Sequence, residues 1–485
     1  MNHRLEEAIL ERLGTGEGEH CLWWRGTWWS RGAFLGMFED CLEVLEASGF
    51  GEGMRLGLLL PNSPLFWALT LAVWRLRGAV VPLNWRGVLD RRTLEHLDLF
   101  ALVEEEGSGV ELPSSLPRTV GSLDGGIQRF TGRECVPDSP DVAVVFLTSG
   151  TTGTPKAVPL THRNLVSNAE ACVRHVADLR EDDVFLNALP NFHALGFTVC
   201  GLIPLLFGFP QVVMPSFMPP EGTAEAIRKG DVTVLPAVPI MISMLIGAFM
   251  RKGISPSSLR MVISGGDRLP PKLDQRCQKV LGVPVLEGYG LTETSPVLAV
   301  NPSKALRRPG TVGTFIPGVE YMVLRRDGQP AGEGEEGRLL VKGPSVFDGY
   351  FRNPGLNLTR FKDGWFDTED LVKVDRDGYV TLVARVSDLI IVGGFNVYPQ
   401  EVEAVLLEHP KIKEVAVVGV PNPLSGQAVK AFVIPRNGEI PTLREIAEFC
   451  KGRLPHYKIP RSLAVVDQFP RSSIGEVVKR ELRSI

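Results

Sequence analysis

The sequence predicts an α/β protein with a large N-terminal domain and a smaller C-terminal α+β module. Arg55–Leu60 and Ala79–Leu83 are apolar runs of strand length. Between them, Ser63-Pro64 marks a helix start with serine as cap and proline in the first turn. This β–α–β unit implies parallel strands joined by a right-handed crossover. Further apolar runs alternate with helical stretches, and the pattern changes beyond Arg385.

Length and composition are those of a globular chain with more than one domain. The 485 residues are 44% apolar and 22% charged, which is enough to bury sizeable cores. A net charge of −4 argues against a nucleic-acid-binding protein, which usually carries a basic face. No apolar run reaches the roughly 18 residues of a membrane span, and the N-terminal segment is too polar for a signal peptide. The seven cysteines show no CxxC spacing, so we expect a cytoplasmic protein with free thiols and no bound transition metal.

The elements of the N-terminal domain can be assigned in chain order. Cys21–Trp29 predicts a hairpin that turns at Arg25-Gly26, and a helix follows from Ser30 to about Ala47. Leu99–Val136 has weak periodicity and is expected to hold a short strand and loops. Further strands are predicted at Val142–Leu147, Val232–Leu235, Leu259–Ile263 and Val283–Leu286, with helices at about 163–175 and Pro239–Met250.

The rest of the chain changes character twice. Gly310–Val383 is rich in β segments punctuated by glycine and predicts a small barrel or an antiparallel sheet. Beyond Arg385 we predict helices at Pro399–His409 and Leu443–Leu454 and strands at Val415–Val420 and Ala428–Ile434. That is a compact α+β module of about 100 residues. We therefore divide the chain into an N-terminal domain (1–384), a boundary segment (385–387) and a C-terminal module (388–485).

A loop of small and hydroxyl-bearing residues follows the strand predicted at Val142–Leu147. Glycines let backbone N–H groups face an anion, hydroxyls donate further hydrogen bonds and a lysine adds a charge, a combination that suits a polyphosphate. The spacing differs from the GxxxxGK[ST] of a Walker loop, and a mobile surface turn is the alternative. Thr161 is predicted to cap the next helix. The candidate ATP-binding residues here are Thr148, Ser149, Gly150, Thr151, Thr152, Gly153 and Lys156.

Two later turns follow predicted strands and add to this site. An exposed tyrosine between glycines, Tyr289, can lie flat on a purine, and Thr292 can bond a phosphate oxygen. Glu293 offers the hard oxygen ligand that Mg²⁺ favours, with Thr151 as a second candidate ligand. Satisfied loop residues and a surface glutamate are the alternative. The candidate residues of the two turns are Gly265, Gly266, Asp267, Glu287, Gly288, Tyr289, Gly290 and Thr292.

Two charged residues complete the proposed nucleotide site. The Asp370 carboxylate is suited to chelating the two ribose hydroxyls, and Arg385 would bond the ribose or a phosphate. Taken singly, each would more often be an ordinary surface charge.

Together, these segments resemble the adenylate-forming superfamily of acyl-CoA synthetases, peptide-synthetase adenylation domains and luciferases. The resemblance runs from about Trp28 to Leu482. Gly393–Glu403 and Ser425–Lys430 are most similar to bacterial long-chain fatty-acid–CoA ligases. The resemblance implies that residues 388–485 form a mobile C-terminal lid with a hinge at 385–387. It also implies two half-reactions: a carboxylate attacks the α-phosphate of ATP to give acyl-AMP, and the thiol of CoA then displaces AMP.

The resemblance also implies roles for individual residues. His193 is expected near the acyl carboxylate and the thiol entry, although a buried histidine bonded to backbone is the alternative. The helix predicted at Pro239–Met250, with Met241, resembles the segment that borders the acyl tunnel and would equally suit an ordinary core. The implied catalytic residues are His193, Thr292, Glu293 and Arg385, and the implied acyl- and CoA-binding residues are His193, Met241, Gly393, Gly394 and Phe395.

The sequence departs from the superfamily pattern at four positions. Glu476 stands where the lysine that bonds the α-phosphate and the substrate carboxylate is usual. Losing an opposite charge about 4 Å away removes roughly 4 kcal/mol at an effective dielectric constant near 20, so adenylation could slow by about three decades. Ser387 replaces the usual Asp or Lys of the pivot, and Glu369 and Ala384 each replace a glycine. We interpret the last two as tolerated variation.

We interpret the chain as an ATP- and Mg²⁺-dependent fatty acyl-CoA synthetase for medium or long chains. The nearest alternative transfers the acyl group to the phosphopantetheine of an acyl carrier protein. A third interpretation is an adenylate-binding protein with impaired catalysis, because of Glu476. Peripheral membrane contact for a lipid substrate and a homodimer are left open, and no nucleic-acid partner is expected.

Overall fold

The structure is a computed structural model that describes residues 4–16, 18–87, 91–106, 116–148, 156–471 and 477–483. The chain forms two compact units. The large unit comprises Met1–Glu320 and Lys342–Phe366, and the small unit comprises Tyr321–Val341 and Asp367–Ile485. Compactness does not locate a pivot, so the predicted hinge at 385–387 and the domain limits on either side stay predictions.

Helices and strands alternate along most of the large unit. The helices of the chain are α1 (Leu5–Gly14), α2 (Arg31–Ala47), α3 (Pro64–Arg75), α4 (Arg91–Leu97), α5 (His162–His175), α6 (Ile203–Phe207), α7 (Pro220–Lys229), α8 (Pro239–Lys252), α9 (Pro271–Leu281), α10 (Pro354–Arg360), α11 (Pro399–Leu406), α12 (Leu443–Cys450) and α13 (Lys479–Leu482). A π-helical turn, Gly196–Leu202, runs directly into α6.

The strands within the described ranges fall into four sheets. They are β1 (His20–Trp24), β2 (Thr27–Ser30), β3 (Arg55–Leu59), β4 (Ala79–Pro82), β5 (Ala101–Glu105), β6 (Arg118–Ser122), β7 (Gly126–Ile127), β8 (Val142–Thr148), β9 (Lys156–Thr161), β10 (Phe185–Asn187), β11 (Gln211–Val213), β12 (Val234–Ala237), β13 (Met261–Ser264), β14 (Val285–Gly290), β15 (Val297–Val300), β16 (Thr314–Phe315), β17 (Glu320–Leu324), β18 (Glu336–Lys342), β19 (Phe361–Lys362), β20 (Trp365–Val374), β21 (Val380–Arg385), β22 (Ile390–Val392), β23 (Phe395–Val397), β24 (Ile412–Asn422), β25 (Gly426–Pro435) and β26 (Ser462–Val465).

The two sheets of the large unit confirm the predicted α/β class. One has seven strands in the order β7-β6-β5-β3-β4-β8-β9, and the other has nine in the order β16-β15-β14-β13-β12-β10-β11-β1-β2. β3 and β4 pair in parallel, as predicted, and so do β12, β13 and β14. Ser63 caps α3 by accepting a hydrogen bond from the Phe66 N–H. Since parallel sheets place loops at the carboxyl ends of their strands, the turns after β13 and β14 become neighbours.

The segment after the predicted phosphate loop differs from expectation. The sequence suggested a loop leading to a helix, but Lys156–Thr161 forms β9, which pairs antiparallel with β8. Pro159 lies inside this strand and obscured it, because proline cannot donate to a sheet ladder. β9 is an edge strand, where proline is tolerated. Thr161 still caps α5, as predicted, by accepting from the Asn164 N–H.

Aromatic packing fills the core behind the π-helical turn. The Phe197 ring lies 4.8 Å from that of Trp67 on α3 and 5.4 Å from that of Phe146 on β8. A side chain at Gly201, one turn further on, would place its Cβ 2.0 Å from the Trp67 ring. This packing fixes the start of the turn, and with it the preceding residues of the loop that contains His193.

The small unit contains the predicted α+β module. β24 and β25 form a long antiparallel pair, and α11 and α12 lie in the predicted positions. Their apolar faces share one core that includes Val402, Ile446 and Val433. β17, β18, β20 and β21 form the sheet predicted for the glycine-rich segment, together with the short β19. Within the described ranges, no helix is both long and apolar enough to cross a bilayer.

Candidate active site

Three of the predicted segments meet at Gly265, directly after β13. A Cβ built on Gly265 would lie 3.6 Å from a methyl group of Leu195 and 3.8 Å from the Gly288 carbonyl oxygen. Leu195 belongs to the loop that contains His193, and Gly288 belongs to the segment predicted to bind nucleotide. The structure therefore brings the turn at 264–267, the loop at 189–196 and the segment at 287–294 together at the carboxyl ends of neighbouring parallel strands.

Glu293, the predicted magnesium ligand, is held by a tyrosine that the sequence analysis missed. It lies in a short 3₁₀ turn after β14 and is buried. The Tyr350 hydroxyl donates to Glu293 Oε1 at 2.8 Å, and the Phe347 N–H donates to the Glu293 carbonyl oxygen. Lys156 Nζ, from the end of the predicted phosphate loop, lies 5.3 Å from the centre of the Tyr350 ring. One aromatic side chain thus contacts both the candidate metal ligand and the candidate phosphate-binding lysine.

Two asparagines on α5 hold the neighbouring backbone. Asn164 Nδ2 donates to the carbonyl oxygens of Pro344 and Val346. One turn later, Asn168 Nδ2 donates to the carbonyl oxygens of Thr294 and Val297, at 3.1 and 2.7 Å. Both amides are buried. The spacing of four residues, which places both on one helix face, is the sequence signal that could have identified them.

Glycine is required at Gly290 for a steric reason. A Cβ there would lie 1.8 Å from the carbonyl oxygen of Pro296, which itself accepts from the Leu291 N–H. The strand therefore folds back on itself only without a side chain at this position. Its neighbour Tyr289 is buried, with 8% of its surface exposed, so our expectation of an exposed tyrosine was wrong. Its proposed contact with a purine stays a prediction.

Glu287 links the two turns that are predicted to bind nucleotide. Its Oε1 accepts a hydrogen bond from the Leu269 N–H at 3.1 Å, just after Gly266 and Asp267. Burial raises the pKa of the Glu287 carboxyl to about 7. Raising the pH therefore forces a charge onto a buried group that bridges two loops.

The loop that contains His193 is fixed by a buried network of amides. Asn62 Nδ2 donates to Asn187 Oδ1 and to the Leu189 carbonyl, and Asn62 Oδ1 accepts from the Asn191 N–H. Asn191 Nδ2 closes the loop by donating to the Gly196 carbonyl at 2.9 Å. Asn62 follows β3 and Asn187 ends β10, so the network joins the two sheets of the large unit. Burial lowers the pKa of His193 to about 4, so its imidazole is neutral at pH 7.

The chain matches two known sequence families. The family described as AMP-binding enzyme matches residues 15–351, and the AMP-binding enzyme C-terminal domain matches residues 401–476. The chain belongs to the AMP-binding enzyme family. This confirms the resemblance to adenylate-forming acyl-CoA synthetases.

Named relatives differ in the acid they use. A long-chain-fatty-acid–CoA ligase from Bacillus subtilis (strain 168) is 35% identical over 70% of this chain and 61% of its own length. This chain therefore spans less than two thirds of that relative. A 2-succinylbenzoate–CoA ligase from Geobacillus kaustophilus (strain HTA426) is 36% identical over 91% of this chain and 90% of its own length. The solved o-succinylbenzoate–CoA synthetase of Bacillus subtilis, in complex with ATP and a magnesium ion, superposes with a TM-score of 0.84 at 27% identity, over 99% of both chains.

In the small unit of this AMP-binding enzyme, the two residues that we predict to bind the ribose or a phosphate of the nucleotide contact each other. Asp370 and Arg385 are cross-strand partners on β20 and β21, and Arg385 Nε lies 3.2 Å from Asp370 Oδ1. Asp370 is buried. A pair of this kind orients the carboxylate. Their place beside the nucleotide stays a prediction.

Glu369 shows why the superfamily carries glycine before the aspartate. Its φ is +60°, in the left-handed region that costs an ordinary L-residue roughly 1–2 kcal/mol. Our interpretation of this change as tolerated variation therefore needs a qualification, since the backbone is strained there. The strain lies directly beside Asp370.

The remaining predicted residues of the small unit occupy a turn and the predicted hinge segment. Gly393 and Gly394 both have positive φ values, of 56° and 86°, in the turn between β22 and β23. Phe395 is exposed and stacks on the Tyr457 ring at 4.8 Å. The Ser387 carbonyl accepts from Arg483 Nη2 at 2.8 Å. The predicted residues Ser149, Gly150, Thr151, Thr152, Gly153 and Glu476 lie outside the described residues.

Replacing Gly290 with alanine tests the close packing of the turn. We expect Gly290→Ala to destabilise the large unit by about 1–3 kcal/mol, because the added methyl group overlaps the Pro296 carbonyl. The measurement is the melting temperature without ligand and with ATP. Gly222→Ala is the matched control, since nothing lies within 4 Å of a Cβ at that helical position. Equal melting temperatures for the two variants would contradict the steric argument.

Glu287→Gln tests the titration of the bridging carboxyl. Its pKa is raised in the folded state, so the stability it contributes is full below pH 4.5 and is lost as the pH rises to about 7. We therefore expect the variant to match the stability of the wild type at pH 4.5 and to exceed it by about 3 kcal/mol at pH 8. The check is thermal melting across this range, with the exposed Glu46→Gln as control. A constant difference at every pH would refute the assignment.

Proposed function

We propose that the protein activates a carboxylic acid with ATP and transfers the acyl group to the thiol of CoA. The observation that carries this proposal is the meeting of three nucleotide- and acid-binding segments at Gly265, beside a Glu293 carboxylate oriented by Tyr350. The 2-succinylbenzoate and long-chain fatty-acid relatives are both CoA ligases by name, and they support the same reaction class.

The first half-reaction needs positioned charges more than a protein nucleophile. An oxygen of the substrate carboxylate bonds to the α-phosphorus of ATP, and the bond to pyrophosphate breaks. Lys156 and the loop before it would bind the phosphates. Glu293 fits Mg²⁺ because only its Oε1 accepts from Tyr350, so a hard oxygen remains for the ion, which would neutralise phosphate charge. Thr151 is the second proposed ligand.

The second half-reaction forms the thioester. The sulfur of CoA bonds to the acyl carbon, the bond from that carbon to AMP breaks, and the thiol proton leaves to solvent or to a base. His193 is neutral at pH 7 because burial lowers its pKa, so its imidazole is able to accept a proton or orient the incoming thiol. Gly393, Gly394 and Phe395 are the proposed contacts for CoA. A carrier-protein phosphopantetheine is the alternative acceptor, and assays with each thiol in turn separate the two.

A medium- or long-chain fatty acid is the proposed substrate. The buried face of α8 is entirely apolar and includes Met241, Leu245 and Phe249. This face packs in the core next to β12 and would border the acyl chain. The high coverage of the succinylbenzoate relative favours a compact aromatic acid as the second candidate. Acyl-CoA formation over a panel of fatty acids and aromatic acids distinguishes them.

Removing the proposed magnesium ligand should weaken Mg²⁺ binding rather than destabilise the fold. We expect Glu293→Gln to raise the Mg²⁺ concentration for half-maximal acyl-CoA formation by roughly 10- to 100-fold, and Tyr350→Phe to raise it by about 10-fold. Pyrophosphate release at varied Mg²⁺ measures this. Tyr321→Phe, at an exposed position, is the control. An unchanged Mg²⁺ dependence in both site variants would contradict the assignment, and no acyl-CoA from any tested acid would overturn the function.

Glu476→Lys tests whether the glutamate that replaces the usual lysine impairs adenylation. If Glu476 impairs adenylation, restoring the cation should raise pyrophosphate release by about 100- to 1,000-fold, as expected for regaining roughly 3–4 kcal/mol of transition-state stabilisation. That gain would favour the interpretation as an adenylate-binding protein with impaired catalysis. No gain would show that the active site is adapted to glutamate. Glu481→Lys, a charge reversal on α13 of the same unit, controls for net charge.

A further inference from the structure

The surface around α7, α8 and α9 exposes methionines instead of burying them. Met250, near the end of α8, is 61% exposed, and Met218, just before α7, is 50% exposed. The two lie on connected elements, since Arg251 Nη2, next to Met250, pairs at 2.6 Å with Glu221 at the start of α7. Unbranched, flexible methionine side chains adapt readily to a soft apolar partner.

The same segment is basic in an acidic protein. Residues 217–282 contain nine lysines and arginines against five aspartates and glutamates, although the whole chain has a net charge of −4. Several of the acids are already engaged, since Asp274 pairs with Arg307, Glu221 with Arg251 and Glu225 with Arg228. An excess of positive charge therefore remains on this surface.

The excess charge is arranged on one helix face beside a methionine. Lys272, Arg276 and Lys279 have the i, i+4, i+7 spacing that shares one side of α9, and all three are exposed. Arg276 Nη2 lies 3.8 Å from Met250 Sδ, which joins this row to the end of α8, where Lys252 is also exposed. Among the residues that the structure describes, none of these four cations has a carboxylate at ion-pair distance.

We propose that these side chains form a docking face for an anionic lipid bilayer. The face consists of Met218, Met250, Lys252, Lys272, Arg276 and Lys279. Charge complementarity argues for an anionic partner, because unpaired cations near such a bilayer are attracted to its headgroups. The exposed methionines argue for lipid over nucleic acid, since apolar side chains gain by entering the headgroup region. Single-stranded nucleic acids are instead bound by stacking aromatics.

This inference goes beyond the proposed reaction and does not depend on it. The opposite face of α8 packs in the core that would border the acyl chain, so the docking face and the proposed substrate site share one helix. A bilayer is also where a long-chain acid partitions. Bilayer binding, however, is measured without any substrate, so its failure is separate from a failure of the enzymatic proposal.

The experiment is cosedimentation of the full chain with vesicles. We expect binding to phosphatidylcholine vesicles containing about one third phosphatidylglycerol, weak binding to pure phosphatidylcholine, and a loss at high salt. The triple variant Lys272→Glu, Arg276→Glu, Lys279→Glu should weaken binding by at least about 100-fold, since each cation contributes roughly fivefold. Arg376→Glu, Arg444→Glu, Lys451→Glu carries the same charge change on exposed residues of the small unit and should keep most of the binding.

A second pair of variants tests the apolar contribution. Met218→Ser with Met250→Ser should lower binding several-fold at a salt concentration that still permits it, whereas Leu358→Ser with Leu424→Ser, at 84% and 98% exposed positions, should not. Melting temperatures verify that all variants fold. No binding to phosphatidylglycerol vesicles would overturn the proposal, as would an equal loss in the control triple. A third result would also overturn the proposal. If the methionine variant bound vesicles as well as the wild type, and the wild type bound duplex DNA as strongly as vesicles, the face would be a general polyanion-binding surface.

Discussion

The site depends on one buried amide, that of Asn168. Its Nδ2 donates to two carbonyl oxygens on either side of the turn after Glu293, and its Oδ1 accepts from the Val297 N–H. A buried backbone carbonyl without a partner costs about 1–3 kcal/mol, so one side chain satisfies several groups that the reversing chain would otherwise leave unpaired. Asn168 lies on α5, which begins directly after β9. The same helix therefore supports both β9, next to the predicted phosphate loop, and the turn that carries the candidate metal ligand.

Because α5 holds this backbone, Glu293 is kept in position with few charged groups around it. The carboxylate is held through Tyr350 on one side, and its backbone is held by the Phe347 N–H on the other. Asn164 in turn fixes the carbonyls of Pro344 and Val346, so the segment before Tyr350 is anchored to the same helix. Preorganisation of this kind matters most where charge develops during reaction, because the donors need not rearrange when the substrate reacts.

Local sequence signals predicted the parts of the fold that local physics decides. The caps at Ser63 and Thr161, the parallel pair β3–β4 and the turns after β13 and β14 follow from residue preference and periodicity, and the structure confirms them. Contacts between distant residues were not visible in a single sequence. Tyr350 lies 57 residues after Glu293, and the burial of Tyr289 is decided by packing rather than by its glycine neighbours. The strain at Glu369 is visible only in its backbone φ, since the residue name alone suggests a neutral change.

The contacts of the small unit bear on how the enzyme would manage without the usual lid lysine. Lys479 and Lys458 are two other lysines of that unit, and each is paired with a carboxylate. Lys479 Nζ lies 2.7 Å from Glu403 Oε1, and both side chains are largely shielded from water. Lys458 Nζ lies 2.5 Å from Glu401 Oε2. Hydrogen bonds between charged groups of this kind are worth about 1.5–3 kcal/mol each.

Recruiting Lys479 would also leave Glu403 without its cation, while the carboxylate continues to accept from the Val417 N–H. The cost of breaking that pair offsets much of the roughly 4 kcal/mol that a cation near the reacting phosphate contributes. Using Lys479 or Lys458 in place of the usual lysine would therefore break an existing ion pair and lose much of the energy gained. On the proposed function, adenylation without a lid lysine would draw its positive charge chiefly from Lys156, Arg385 and a magnesium ion at Glu293. In that proposal, the hydrogen bond by which Tyr350 orients Glu293 carries more of the catalytic burden than it would beside a lysine.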